Sequence, residues 1–176
     1  FNLPKSTALS ILHSGCGTSD LCVDLSKKLV EHSRVTNIDF SQPVIDIMTT
    51  RHPNLLFVRE DARAMNFVNG SFHLVVDKGT LDAASSDSNE SQNNVENILK
   101  EYHRVLIKDR DSFVIIFSLY GPNKWKDILL PYHNLFTLKI LSVEPSTTYD
   151  KTPKHVMRTE EVGGDENEAF IILLFP

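Results

Sequence analysis

Cysteine is scarce in this chain: Cys16 and Cys22 are the two among 176 residues. No second pair exists to complete a four-ligand zinc site, and two cysteines make no disulfide framework. That usage fits a reducing, intracellular compartment. Long apolar runs are missing too; none approaches the roughly 20 residues that a membrane span needs. Residues 1–10 lack the apolar core and cleavage site of a secretory leader. Positive charge is in deficit: 18 Lys and Arg against 23 Asp and Glu leave a formal net charge of −5. A phosphate-backbone binder carries a basic stripe instead, so neither a nucleic acid nor a membrane is expected as a partner. No repeat or second domain boundary is visible, and a single domain is expected over residues 1–176. What is present is ordinary globular material, 41% hydrophobic and 23% charged, enough to bury one sizeable core.

Apolar runs alternate with helical patterns from end to end, the pattern of a mostly parallel sheet covered on both faces. Residues 8–13 read as a buried strand that ends in a Gly-rich turn. A helix over 20–31 follows, with Leu21, Cys22, Leu25 and Leu29 on one face and Thr18 or Ser19 as its cap. Residues 35–39 are a second strand. The next helix has Ser41 as cap, Pro43 in its first turn and Val44, Ile47 and Met48 as its buried stripe. Strands three and four are expected over 55–59 and 72–77. The polar run 84–94 has no core-forming residue and reads as a loop. Val95, Ile98, Leu99, Tyr102, Val105 and Leu106 then recur at helical spacing. A fifth strand over 113–119, a short helix over 124–131 and strands over 135–143 and 169–175 complete the chain. Gly163, Gly164 and the acidic run 165–168 before the last strand suggest an antiparallel return. The expected fold is α/β, a Rossmann-like doubly wound seven-stranded sheet, mostly parallel with an antiparallel last strand.

Four features fall at the ends of the first four strands, where open α/β sheets bind ligands. Gly15-Cys16-Gly17-Thr18-Ser19 joins strand to helix, letting backbone approach a ligand beside unpaired helix N–H groups. By itself such a turn is weak, because any tight strand-to-helix connection can use glycine. Asp39 lies about 20 residues further on, where a carboxylate can accept both hydroxyls of a ribose. The alternative is a surface acid or the cap of the next helix, a place for which Ser41 competes; with the Gly turn in place, the ribose reading is favoured. Asp61-Ala62-Arg63 after strand three suits an adenine edge, with an acid followed by a small residue. Asp77-Lys78-Gly79-Thr80-Leu81-Asp82 turns from core to cleft, placing Asp77 and Lys78 beside a ligand, although a strand-end salt bridge is the plainer alternative.

Gly15 to Ser19, Asn37-Ile38-Asp39-Phe40-Ser41, Asp61-Ala62-Arg63, and Ser71-Phe72 with Asp77 to Ala83 together resemble one branch of the seven-strand S-adenosylmethionine-dependent methyltransferases. That branch contains the lysine methyltransferases of translation elongation factor 1-alpha and their methyltransferase-like relatives. The match runs over residues 11–106 in one order and spacing. The resemblance implies S-adenosylmethionine as cofactor, held by Gly15, Cys16, Gly17, Ser19, Asp39, Phe40, Ser41, Asp61, Ala62, Arg63, Asp77 and Lys78. It implies Asp77, Lys78 and Asp82 beside the acceptor channel as the catalytic set, and no metal. It also implies a cytoplasmic enzyme acting on a protein lysine or amino terminus, elongation factor 1-alpha first among acceptors; a small molecule is the alternative. The sequence departs from the broader pattern at His13, where an acid is usual, and at Ser19, where a third glycine is usual. The family's N-terminal helix has no counterpart before Leu9, and its loss is expected.

Two rivals belong to other classes. A nicotinamide-linked dehydrogenase fits Gly15, Gly17 and Asp39, but Asp20 stands where its third glycine should be and would repel a pyrophosphate. Tyr120 and Lys124 imitate the Tyr-x-x-x-Lys pair of short-chain dehydrogenases, yet Gly121-Pro122 interrupts the helix that such a pair requires. The other rival is a silent scaffold that binds cofactor without transferring anything. His13, His32, His52, His73, His103, His133 and His155 lack ligand spacing, and Trp125 with Tyr132 reads as core packing rather than an acceptor groove.

Overall fold

Parallel neighbours on both edges place β1 (Ser10–Ser14) in the interior of the sheet in this computed structural model, which describes residues 8–28, 33–86, 91–143 and 169–176. Helix α1 (Leu21–Lys28), strand β2 (Arg34–Asp39), helix α2 (Gln42–Arg51) and strand β3 (Leu56–Arg59) follow. Then come β4 (Leu74–Lys78), α3 (Thr80–Ser86), α4 (Ser91–Val105) and β5 (Phe113–Ser118). Helix α5 (Pro122–Leu129), a 3-10 turn at Leu130–Tyr132, β6 (Thr137–Val143) and β7 (Ala169–Phe175) end the chain. The sheet has seven strands in the order β3-β2-β1-β4-β5-β7-β6. Strand β7 runs antiparallel to both its neighbours, and the other pairings are parallel. An all-parallel dinucleotide sheet would continue β5 directly to β6, so this order separates the chain from the dehydrogenase reading.

Alternation along the strands sends successive side chains to opposite faces. Ile11, Leu74 and Val76 pack with Leu21 and Leu25 of α1 on one face. Leu12 and Val75 pack on the other with Ile98, Leu99, Tyr102 and Val105 of α4 and Trp125 of α5. Burial on both faces explains why Leu74, Val75 and Val76 are apolar in succession. Helix α2 buries Ile45 and Met48, whereas Ile47, expected in its stripe, is 47% exposed. The helix starts after Ser41 as expected; Ile45 and Met48, three apart, share the inward face, and Ile47 falls outside it. The run 84–94, expected as a loop, is helical at both ends: Ala84–Ser86 closes α3 and Ser91–Asn94 opens α4. Capping and packing, described below, hold this polar helix where periodicity alone gives no cue. Leu29, Pro145, Gly163, Gly164 and the acidic run at 165–168 lie outside the described residues. Among those described, no helix is long and apolar enough to cross a membrane.

Candidate cofactor cleft

The turn after β1 is closed by its neighbours rather than by its own sequence. Gly15 and Gly17 have φ of 58° and 51°, the left-handed region that side chains disfavour. A Cβ on Gly15 would stand 2.0 Å from Thr80 Oγ1, and that hydroxyl donates to the Ser14 carbonyl at 3.0 Å. At Gly17 no atom crowds such a Cβ, so the backbone there lies open. Asp39, at the end of β2, spans the gap: its carboxylate accepts the Gly17 N–H at 3.0 Å and the Ser41 N–H at 2.9 Å. It is only 8% exposed yet opens onto the cleft. It is therefore more than a surface acid, and Ser41 makes no side-chain cap of its own. Cys16 turns into the core beside Cys22, and burial pushes its thiol up to about 12, so the thiol is inert. Ser19 Oγ accepts the Leu21 N–H at the start of α1. His13, at the position of the usual acid, is buried against Asn37 at 3.0 Å, and burial lowers its pKa.

A cleft of about 540 Å³ opens over the carboxyl ends of β1, β2, β3 and β4. Gly15, Asp39, Phe40, Asp61, Ala62, Arg63 and Lys78 of the expected set line it. Phe40 offers a 72% exposed ring at the rim. Asp61 is held in place by Arg63, whose guanidinium grips it at 2.7 Å and 2.9 Å and also donates to Asn94 Oδ1 at 3.1 Å. That guanidinium holds the Asp61 carboxyl below the usual carboxylate range. Cys16, Gly17, Ser19, Ser41, Asp77 and Asp82 do not line the cleft. Glu60, Gly79, Thr80, Ala83, Ala84, Asn94 and Ile98 do, and none of them was in the expected site set. Thr80 was within the Asp-Lys-Gly-Thr segment; Glu60 and Asn94 carry no periodic or motif cue.

Asp77 sits behind the wall rather than in it. It is fully buried, and its carboxylate accepts the Thr80 N–H at 2.9 Å, the Leu81 N–H at 3.2 Å and the Tyr102 hydroxyl at 2.7 Å. It caps α3 and anchors that helix to α4. Burial pushes its pKa up to about 7, and burial raises that of Tyr102 as well. Asp82 faces β5: its oxygens accept Ser118 Oγ at 2.6 Å and the Leu119 N–H at 2.9 Å. Ser118 Oγ in turn receives the Trp125 indole N–H at 2.6 Å, and Trp125 is core. Lys78 alone of the three expected catalytic residues is exposed in the cleft. Among the described residues no three His, Cys, Asp or Glu side chains gather as a metal site.

The profile of a family described as "Methyltransferase domain" matches residues 11–109, more than half of the chain. The human protein named eEF1A lysine and N-terminal methyltransferase is 40% identical over 101 residues, 54% of this chain and 14% of that protein. The mouse protein named EEF1A lysine methyltransferase 4 is 36% identical over 107 residues, 55% of this chain and 41% of that one. The chain thus spans well under half the length of these relatives. Among solved structures, a SAM-dependent methyltransferase from Methanosarcina mazei aligns with a TM-score of 0.65 at 16% identity, covering 96% of this chain and 92% of that one. Another from Aquifex aeolicus aligns at 0.65 and 12% identity, covering 94% and 81%. These two likenesses concern the fold.

Proposed function

Because the chain belongs to the methyltransferase domain family, we propose that it transfers a methyl group from S-adenosylmethionine to a protein amine, a lysine side chain or an amino terminus. The observation that carries this reading is Asp39, a carboxylate clamped between the Gly turn and the start of α2 with its face to the cleft. The donor set fits the cofactor: the carboxylate for ribose hydroxyls, the Gly15 backbone for the methionine end, Asp61 and Ala62 for an adenine edge, and the Phe40 ring as an apolar cover. The cleft volume also suits a ligand of that class. Bound there, the cofactor supplies an activated sulfonium methyl, so the protein's task is alignment. Lys78 and Gly79 bring the end of β4 to the cleft, while Asp77 and Asp82 hold the helix that follows. An acceptor ammonium must lose its proton before it attacks, and a desolvating channel lowers its pKa. Elongation factor 1-alpha is the proposed acceptor, drawn from the named activities of the human and mouse relatives, with a cytosolic location to match.

A thermal-shift panel of S-adenosylmethionine, S-adenosylhomocysteine and NAD tests the cofactor. Saturation at 100 times the dissociation constant adds about 2.7 kcal/mol, a rise of several degrees in Tm for a domain of this size. A rise with NAD alone would sink the assignment. Labelled methyl transfer to purified elongation factor 1-alpha then separates an enzyme from a silent scaffold, which would bind cofactor and transfer nothing.

A further inference from the structure

Tyr120 and Lys124 meet although Gly121-Pro122 stands between them. Gly121 is the N-cap of α5 and Pro122 its first residue, so Lys124 lies in the first turn and folds back over the ring. Its Nζ is 3.2 Å from the Tyr120 centroid, well inside the roughly 6 Å reach of cation–π attraction. Other groups hold the ring: its hydroxyl bonds Ser86 Oγ at 2.5 Å, its backbone N–H donates to Ser118 Oγ at 2.9 Å, and its body packs against the main core. Lys124 is exposed and takes part in no ion pair among the described residues. Leu119, next along the chain, is 75% exposed with its N–H tied to Asp82. An exposed apolar residue next in sequence to an aromatic ring that holds a cation suits the two parts of a lysyl side chain, an apolar stem and a charged tip.

This patch shares an edge of the sheet with the cofactor cleft. Lys78 pairs in register with Phe117, so the ends of β4 and β5 leave the sheet side by side. Helix α3 links the two places: Thr80, Ala83 and Ala84 line the cleft, and Ser86 at its end bonds Tyr120. The net charge of −5 favours the approach of a cationic partner.

We infer that the Tyr120 ring, next to the exposed Leu119 in the chain, is the seat that docks the ammonium of the acceptor, and that Lys124 occupies it in the acceptor's absence. The word acceptor rests on the methyltransferase reading; the ring's affinity for an alkylammonium does not. The seat binds and does not react.

The probe is trimethyl-lysine amide, titrated against sodium chloride of equal ionic strength and read by the fluorescence of Trp125, the single tryptophan, which shares Ser118 with Tyr120. Lys124→Ala should bind the probe about three- to tenfold more tightly than wild type, since the resident cation is gone. Tyr120→Leu should lose binding, and Tyr120→Phe, which keeps the ring face, should stay within about twofold of wild type. S-adenosylhomocysteine affinity should be equal in all four proteins. With elongation factor 1-alpha as acceptor, Lys124→Ala should lower KM and Tyr120→Leu raise it, with kcat moving less. Unchanged probe affinity in Lys124→Ala overturns the inference, as does a loss in Tyr120→Phe equal to that in Tyr120→Leu, which would make the hydroxyl's tie to Ser86 the point. If cofactor binds but no acceptor is methylated, the methyltransferase reading fails while the probe titration still decides the seat.

Discussion

Asp39 ties two backbone segments together through one carboxylate. Its oxygens hold the backbone N–H groups of Gly17 and Ser41, and the residue lines the cleft. Asp39→Ala should weaken S-adenosylhomocysteine binding by about 2–4 kcal/mol, because hydrogen bonds to a charged group are worth roughly 1.5–3 kcal/mol each and do not add fully. Calorimetric titration checks this; an unchanged Kd would leave the residue as a cap and nothing more. The same variant should also lower Tm by a few degrees, since two N–H groups lose their acceptor. A strand-end acid read from sequence predicts no such loss. Gly15 makes the complementary case. Gly15→Ala forces a Cβ into Thr80 at a φ of 58°, so it should destabilise by about 1–2 kcal/mol from backbone strain alone, with steric contact adding to that. Urea unfolding measures it, and a loss below about 0.5 kcal/mol would show that Thr80 turns aside without cost.

Helix α3 shows how an element forms where its own residues give little reason for it. Thr80–Ser86 is only seven residues long, with Leu81 its one buried residue. A short helix of this kind is marginal alone, and here Asp77 caps it, Asp82 ties it to β5, and α4 packs on it. The cap is titratable. Burial raises the folded pKa of Asp77 to about 7, above the 3.8 of a free carboxyl. The folded state therefore binds more protons between those values, and this group's contribution to stability falls as pH rises from about 4 to 7, then levels. Asp77→Asn removes that slope. Melting both proteins across this range should show the variant gaining on wild type as pH rises; a constant Tm gap would mean that Asp77 does not titrate there. Helix α4 was legible from Val95 to Val105 because five apolar positions repeat at its period. Its first turn was not, because Ser91 to Asn94 are polar and the buried Asn94 is matched by Arg63, distant in sequence.

Across the whole molecule the decisive feature is β7, inserted antiparallel between β5 and β6. Ile172 is fully buried there, in register with Ile116 on one side and Ile140 on the other. Ile172→Ala should cost about 2–4 kcal/mol, the range for a large-to-small change in a core. Denaturant unfolding with an unchanged m-value would confirm it, and a loss below 1 kcal/mol would show that this edge of the sheet is loosely packed. The sequence by itself determined the class of fold, the strand count and the four strand-end motifs, because apolar period and Gly or Asp punctuation are local properties of a chain. It also put Asp39 at the end of the second strand, because its spacing from the Gly turn is a linear fact. Only the tertiary structure decided which carboxylates face the cleft. Asp77 and Asp82 look equivalent to Asp61 as letters, yet helix capping and a strand contact turn the first two away from the cleft wall. It alone joined Tyr120 to Lys124 and brought Glu60 and Asn94 to the wall, because side-chain direction depends on neighbours that lie far away along the chain.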